Sequence, residues 1–325
     1  MVQVMVFRPG ALGDTLLAFP ALAALRRAFP AARLVVIGNV PALALARDGG
    51  LADEVASFDA LCWADLFAEE GIHSPEARQM LAGTSLAVLW MRDGDGQATR
   101  NLRALGIPQV LCAPGRPPAG VRIHAADYLL GTLASIIGET APDTLPPLAL
   151  APEALAWAEE EWARRGLMGA SVLALHPGSG QRAKCWPPDR FAALAGRFIA
   201  AGWQTLILEG PADEEAASAV LRLLAADRAQ RVAVLTLPKL AALLARAKLY
   251  VGNDSGVSHL SALLGVPTLT LFGPTDPAIW APRGARAQMV WAGTPALAGV
   301  TLPPMTALSV NVVLDAAGLL LHPGW

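Results

Sequence analysis

The sequence predicts an α/β protein of two Rossmann-like domains, each built on a parallel sheet, and three observations carry that prediction. Short apolar runs alternate with helical patterns along the whole chain, the mark of parallel strands covered by helices. The alternation is interrupted at residues 141–152, where four prolines in twelve residues leave no helical period, as in a semi-rigid linker. At 325 residues the chain is about two typical domains of roughly 150 residues.

Each element follows from its local pattern. Residues 2–7 read as a buried strand and 15–28 as a helix with Leu16, Phe19, Leu22, Ala23 and Leu25 at its apolar positions. Strands at 33–37 and 84–91 follow, with short helices near 41–48 and 60–69 between them. Beyond the linker come helix 153–165, strand 172–175, helix 188–201, strand 205–208 and helix 214–225. Helix 239–246, strand 249–251, helix 257–264 and strand 268–272 complete the second unit. The expected domains are residues 1–145 and 153–305, with 306–325 as a last helix returning to the first domain.

Composition excludes several classes. The chain is 54% hydrophobic and 16% charged, against about 25% charged in an average soluble protein, so it is not intrinsically disordered. Lys and Arg number 25 against 27 Asp and Glu, a net charge of -2 that offers no broad phosphate-neutralising surface, so no nucleic-acid partner is expected. The longest charge-free stretch, 287–314, is broken by Pro295, Pro303 and Pro304 and does not read as a membrane span. No basic, apolar leader is visible, and Cys62, Cys112 and Cys185 have neither disulfide nor zinc spacing; a reduced, cytoplasmic chain is expected.

In open parallel sheets ligands sit beyond the carboxyl ends of the strands, so the loops after strands carry the candidates. The first runs Arg8-Pro9-Gly10-Ala11-Leu12-Gly13-Asp14-Thr15. Gly10 and Gly13 allow close approach to the backbone, though the spacing is not a complete dinucleotide fingerprint. Asp14 suits either an N-cap or a general base displayed at the ligand side. The second loop holds His176-Pro177-Gly178-Ser179-Gly180 and then Arg182 and Lys184, a set of amides, a hydroxyl and cations that suits a phosphate as well as it suits plain surface charge. In the third, Gly252-Asn253-Asp254-Ser255-Gly256-Val257-Ser258-His259, the start of a helix offers free amides to an anion, with His259 one turn in. The fourth, Gly273-Pro274-Thr275-Asp276-Pro277, reads alone as a turn. Asp93-Gly94-Asp95 has a metal-diphosphate spacing but reads better as a turn. Arg92, Arg100, Arg103, Arg116 and Arg122 form a cluster that is either surface charge or the mark of an anionic ligand.

Taken in order, the segments Gly10 to Asp14, His176 to Ser179, Lys184-Cys185-Trp186-Pro187, Gly252 to His259 and Phe272 to Pro277 resemble glycosyltransferase family 9, the ADP-heptose:lipopolysaccharide heptosyltransferases. The resemblance implies the GT-B architecture, with two parallel sheets facing a central cleft. It implies an acceptor on the first domain, a nucleotide-sugar donor on the second, and inverting, metal-independent transfer without a cofactor. Asp14 then matches the general base, and Lys184 joins it in catalysis by stabilising the leaving diphosphate. Ser179, Gly180 and Lys184 match the donor pyrophosphate site. Glu214 matches the acid on the adenosine ribose, with Asp213 and Glu215 as alternatives, and Leu240 matches an adenine contact. Asp254 matches the carboxylate on the donor sugar, and Ser255, Gly256, Val257 and His259 the phosphate-binding helix mouth. Gly10, Gly13 and Arg92 fall on the acceptor side. The implied partners are ADP-heptose and a lipopolysaccharide core or related envelope glycan, met at the inner face of the cytoplasmic membrane. A nucleotide-sugar epimerase on the same fold and a non-catalytic nucleotide-sugar-binding protein are the competing readings.

Overall fold

In the computed structural model the described residues are 2–139, 145, 147–225, 227–233, 235–293 and 303–321. The chain divides into two compact units, Met1–Asp143 and Thr144–Trp325. Of the proline-rich segment, residues 141–144 and 146 lie outside the described residues, as do 322–325 of the tail.

The first unit holds strands β1 (Gln3–Arg8), β2 (Arg33–Gly38), β3 (Glu54–Ser57), β4 (Thr84–Trp90) and β5 (Gln109–Ala113) in the order β3-β2-β1-β4-β5. Every pairing is parallel. All six residues of β1 are buried, because a central parallel strand is covered on both faces. Its one amide side chain is satisfied: Gln3 donates to the Met80 carbonyl at 2.6 Å and to Thr84 Oγ1 at 2.9 Å. Phe7 packs edge-on against Trp63, with centroids 5.1 Å apart, in a core cluster of this unit.

The expected single helix over 15–28 is two helices, Leu12–Leu16 and Phe19–Ala28. Pro20 is the reason, since its ring crowds the carbonyl four residues back and it has no N–H to continue the ladder. The helix expected near 60–69 is a 3-10 turn, Leu61–Phe67.

The second unit holds β6 (Val172–His176), β7 (Gln204–Glu209), β8 (Ala229–Ala233), β9 (Leu249–Asn253), β10 (Thr268–Phe272) and β11 (Ala287–Trp291) in the order β11-β10-β9-β6-β7-β8, again all parallel. One face is covered by helix Pro188–Ala200, with Trp186 and Phe191 in an edge-to-face pair at 5.0 Å. The other is covered by Trp162, Leu243 and Leu244 from helices Pro152–Arg164 and Leu237–Leu244. The last helix, Val310–Leu321, buries Val313, Ala317 and Leu321 in the core of this second unit. Its apolar face packs on β9, β10, β11 and helix Pro188–Ala200 of the same unit.

Candidate active site

In the first unit the chain order places a switch between β1 and β4, whose neighbours lie on opposite sides, and the loops after β1, β4 and β5 surround it. Asp14 is not the N-cap weighed in the sequence. Ala11 holds that position, and Asp14 is the third helical residue, its Oδ2 accepting the Ala11 N–H at 3.3 Å. Its carboxylate faces Arg116 in a two-point pair, Nε to Oδ1 at 3.2 Å and Nη2 to Oδ2 at 3.0 Å. Arg8 lies beneath, donating through Nη2 to the Asp14 carbonyl at 2.8 Å, with the same nitrogen 3.8 Å from Oδ1. Burial lowers the Arg8 guanidinium from its ordinary value, and the Asp14 charge opposes that shift. The Arg8 Nε is buried without a hydrogen-bond partner.

A cleft of about 620 Å³ opens over these groups, lined by Gly10, Asp14, Arg92, Arg116, Trp90 and the Pro114 to Ala119 loop among others. Gly10, at φ +149°, is required for the geometry, since a Cβ there would lie 2.9 Å from that of Asp14. Of the five clustered arginines, Arg92 and Arg116 line this cleft, while Arg100 is tied to the Asp95 carbonyl and Gln97. The Asp93-Gly94-Asp95 segment is indeed a turn: Asp93 accepts from the Ala98 and Thr99 amides and the Thr99 hydroxyl, and Asp95 from the Gln97 amide.

In the second unit three segments meet at the carboxyl ends of β6 and β9. Lys184 Nζ donates to Asp254 Oδ2 at 2.7 Å, and Thr275 Oγ1 donates to the same oxygen at 2.9 Å. Ser179 donates to the Asp254 carbonyl at 3.0 Å. Asn253 fastens the loop from below: its amide donates to the carbonyls of Pro177 and Gly178, and its Oδ1 accepts the Trp186 N–H at 2.9 Å. Ser255 opens the helix Gly256–Leu263, so the first amides of that helix emerge beside Lys184 and Ser179. His259 is buried one turn in.

His176, at the end of β6, lies with Nε2 3.0 Å from Asp213 Oδ2 and Nδ1 3.1 Å from Ser255 Oγ. The bond from His176 draws the Asp213 carboxyl below its ordinary value, against the opposing effect of burial. Of the three acids considered for the ribose, Asp213 is thus engaged, while Glu214 and Glu215 are exposed in the first turn of helix Glu214–Leu221. Leu240 is half-buried against the core of this unit.

A model of glycosyltransferase family 9 (heptosyltransferase) matches residues 128–301, more than half of the sequence. The chain belongs to glycosyltransferase family 9. This family 9 chain is 30% identical to lipopolysaccharide heptosyltransferase 3 of Escherichia coli over 130 residues, which are 39% of the chain and 38% of that relative. The matched stretches span about two fifths of the length of the curated relatives. A glycosyl transferase family 9 structure from Veillonella parvula superposes with a TM-score of 0.83 at 22% identity, covering 98% of this chain and 97% of that one. An E. coli heptosyltransferase solved with ADP superposes with a TM-score of 0.70 at 18% identity, covering 98% and 99%. The family 9 fold is therefore that of the GT-B heptosyltransferases, α/β with two parallel sheets.

Three residues of these two candidate sites escaped the sequence: Thr275, read as part of a turn; Asp213 as the partner of His176; and Arg116 as the partner of Asp14. Each is defined by a partner 21, 37 or 102 residues away, and the available signal was only that all of them follow strands.

Proposed function

We propose that this family 9 chain is an inverting glycosyltransferase that moves a sugar, heptose of ADP-heptose, onto a lipopolysaccharide core or related envelope glycan at the inner face of the cytoplasmic membrane. The observation that carries the reading is the convergence of the Lys184 ammonium, the Ser179 hydroxyl and the open first turn of helix Gly256–Leu263 at the strand ends of one unit. Cation, hydroxyl and helix-mouth amides together form a diphosphate site. Among the described residues no helix is long and apolar enough to cross a membrane.

The chemistry follows from the groups present. The acceptor hydroxyl loses its proton to Asp14 as its oxygen attacks the anomeric carbon from the face opposite the diphosphate. The bond from that carbon to the diphosphate oxygen breaks, and the charge gained by the leaving group is met by Lys184 and the amides of Gly256 and Val257. Asp254, whose Oδ2 is occupied by Lys184 and Thr275, has Oδ1 left for a sugar hydroxyl. Glu214 holds the ribose and Leu240 the adenine. Arg92 and Arg116 give the first unit a cationic cleft for the acceptor. Lys184 and the helix mouth supply the positive potential that a metal otherwise provides, so transfer proceeds in EDTA.

The test is a thermal-shift and calorimetric screen of ADP, UDP and GDP in EDTA, followed by transfer from ADP-heptose to deacylated lipopolysaccharide core acceptors. ADP at a hundred times its dissociation constant should stabilise by about 2.7 kcal/mol. Preference for UDP or GDP would overturn the donor assignment, and activity lost in EDTA and restored by manganese would overturn metal independence.

A further inference from the structure

The Asp213–His176–Ser255 chain is more elaborate than the packing of a strand end requires. Its three members come from three places: the turn after β7, the end of β6, and the mouth of helix Gly256–Leu263. Two glycines are shaped around the Asp213 carboxylate. A Cβ on Gly178 would lie 2.0 Å from its Cγ and Oδ1, and one on Gly210 would lie 2.6 Å from its Oδ2. The Gly210 N–H also donates to Oδ2 at 3.2 Å. The carboxylate is thus fixed before any ligand arrives.

The proton count along this chain fixes what Ser255 can offer. The ionised Asp213 only accepts, so His176 Nε2 donates to it and Nδ1 is the nitrogen that faces Ser255 Oγ. In a neutral imidazole Nδ1 only accepts, and Ser255, whose Oγ also lies 3.5 Å from Ser258 Oγ, turns its one proton to the nearer nitrogen at 3.1 Å. The hydroxyl then shows lone pairs alone to the helix mouth, the wrong polarity for a phosphate oxygen. We infer that occupation of the mouth by a diphosphate places a second proton, taken from solvent, on His176. Nδ1–H then donates to Ser255 Oγ, the hydroxyl proton turns to the anion, and Asp213 balances the imidazolium.

His176 and Asp213 are in this account positioning residues that act through Ser255. The inference rests on the reading of the second unit as a diphosphate site. Affinity for the diphosphate is accordingly greatest where the second proton is readily supplied and falls as pH rises. The other titratable groups coupled to the chain are Tyr250 and Cys185, both pushed up by burial and neutral near pH 8. Around them stand the Lys184–Asp254 pair, the exposed Arg182, Glu214 and Glu215, and His259 on the same helix as Ser255.

Titration calorimetry with ADP in EDTA at about pH 8, in two buffers of different ionisation heat, tests the inference on the full chain. Wild type should take up more protons per ADP than His176→Gln. Ser255→Ala and His176→Gln should each weaken ADP by roughly tenfold, the worth of one hydrogen bond to a charged group, and the double variant by no more than the larger single loss. Ser255→Thr, which keeps the hydroxyl, should bind near wild type. Equal proton uptake, or a double variant that loses the product of the two single effects, overturns the inference while leaving the diphosphate site standing. If His176→Gln does not fold, Asp213→Asn completes the same cycle with Ser255→Ala. Failure of folded wild type to bind ADP removes the diphosphate reading and this inference together.

Discussion

The two candidate centres hold their carboxylates in different ways. Asp14, in the first unit, is braced from below by Arg8 but faces the cleft through Arg116, whose side chain is 66% exposed. In the second unit Lys184, Asp254, His176 and Asp213 have side chains between 4% and 21% exposed, and Asn253 clamps the loop that carries Lys184. A carboxylate held by an exposed arginine on a loop keeps access to the cleft and exchanges partners easily. One held by buried partners on strand ends is set in advance. The difference fits the proposal of an acceptor side where a proton must move and a donor side where a charge must be met without reorganisation. Substitutions on the first side should therefore change turnover with little effect on stability, and those on the second should change affinity and stability together.

The largest effect is expected for Asp14→Asn. Asparagine keeps an oxygen for the Ala11 N–H, so the melting temperature and ADP affinity should stay near wild type while kcat falls by roughly 10²–10⁴-fold. Turnover within a few-fold of wild type would remove Asp14 as the base. Next is Lys184→Ala, which deletes the cation and leaves Asp254 with Thr275 alone on Oδ2. ADP affinity should drop by an amount on the order of 1.5–3 kcal/mol in calorimetry. An unchanged affinity would place the diphosphate elsewhere.

Gly178→Ala sharpens the comparison without touching a charge. The new methyl collides with Asp213, so denaturant unfolding should show a loss of about 1–3 kcal/mol, and ADP binding should weaken with it. The smallest effect belongs to Arg116→Ala: because that partner is mostly in solvent, unfolding should change by no more than about 1 kcal/mol. A larger loss would mean that the first side is as tightly built as the second, and the contrast would fail.

The central strands were legible in the sequence because burial on both faces demands continuous apolar runs, as in Val172–His176 and Thr268–Phe272. The four strands that were not legible, β3, β5, β8 and β11, are the four sheet edges. They carry Glu54 and Ser57, Gln109, Gln230 and Arg231, and Gln288, since an edge exposes part of its surface and has no reason to be uniformly apolar. The single helix expected over 15–28 failed at Pro20, whose disruption is itself a sequence signal. For the sites, loop position and residue type were enough to single out Asp14, Ser179, Lys184 and Asp254. Pairings such as His176 with Asp213 exist only once β6 and β7 lie side by side, and no local pattern encodes them.

The account turns on where the nucleotide diphosphate sits, and hydrogen exchange with and without ADP measures that directly. Ordered ligand bonds slow exchange of the amides that make them. With ADP in EDTA, protection should rise at Gly256 and Val257 and along the loop from Gly178 to Lys184, with no change at residues 8–16 or 114–119. Protection confined to residues 8–16 and 114–119, with the mouth of helix Gly256–Leu263 unaffected, would contradict the assignment of the second unit as the donor side.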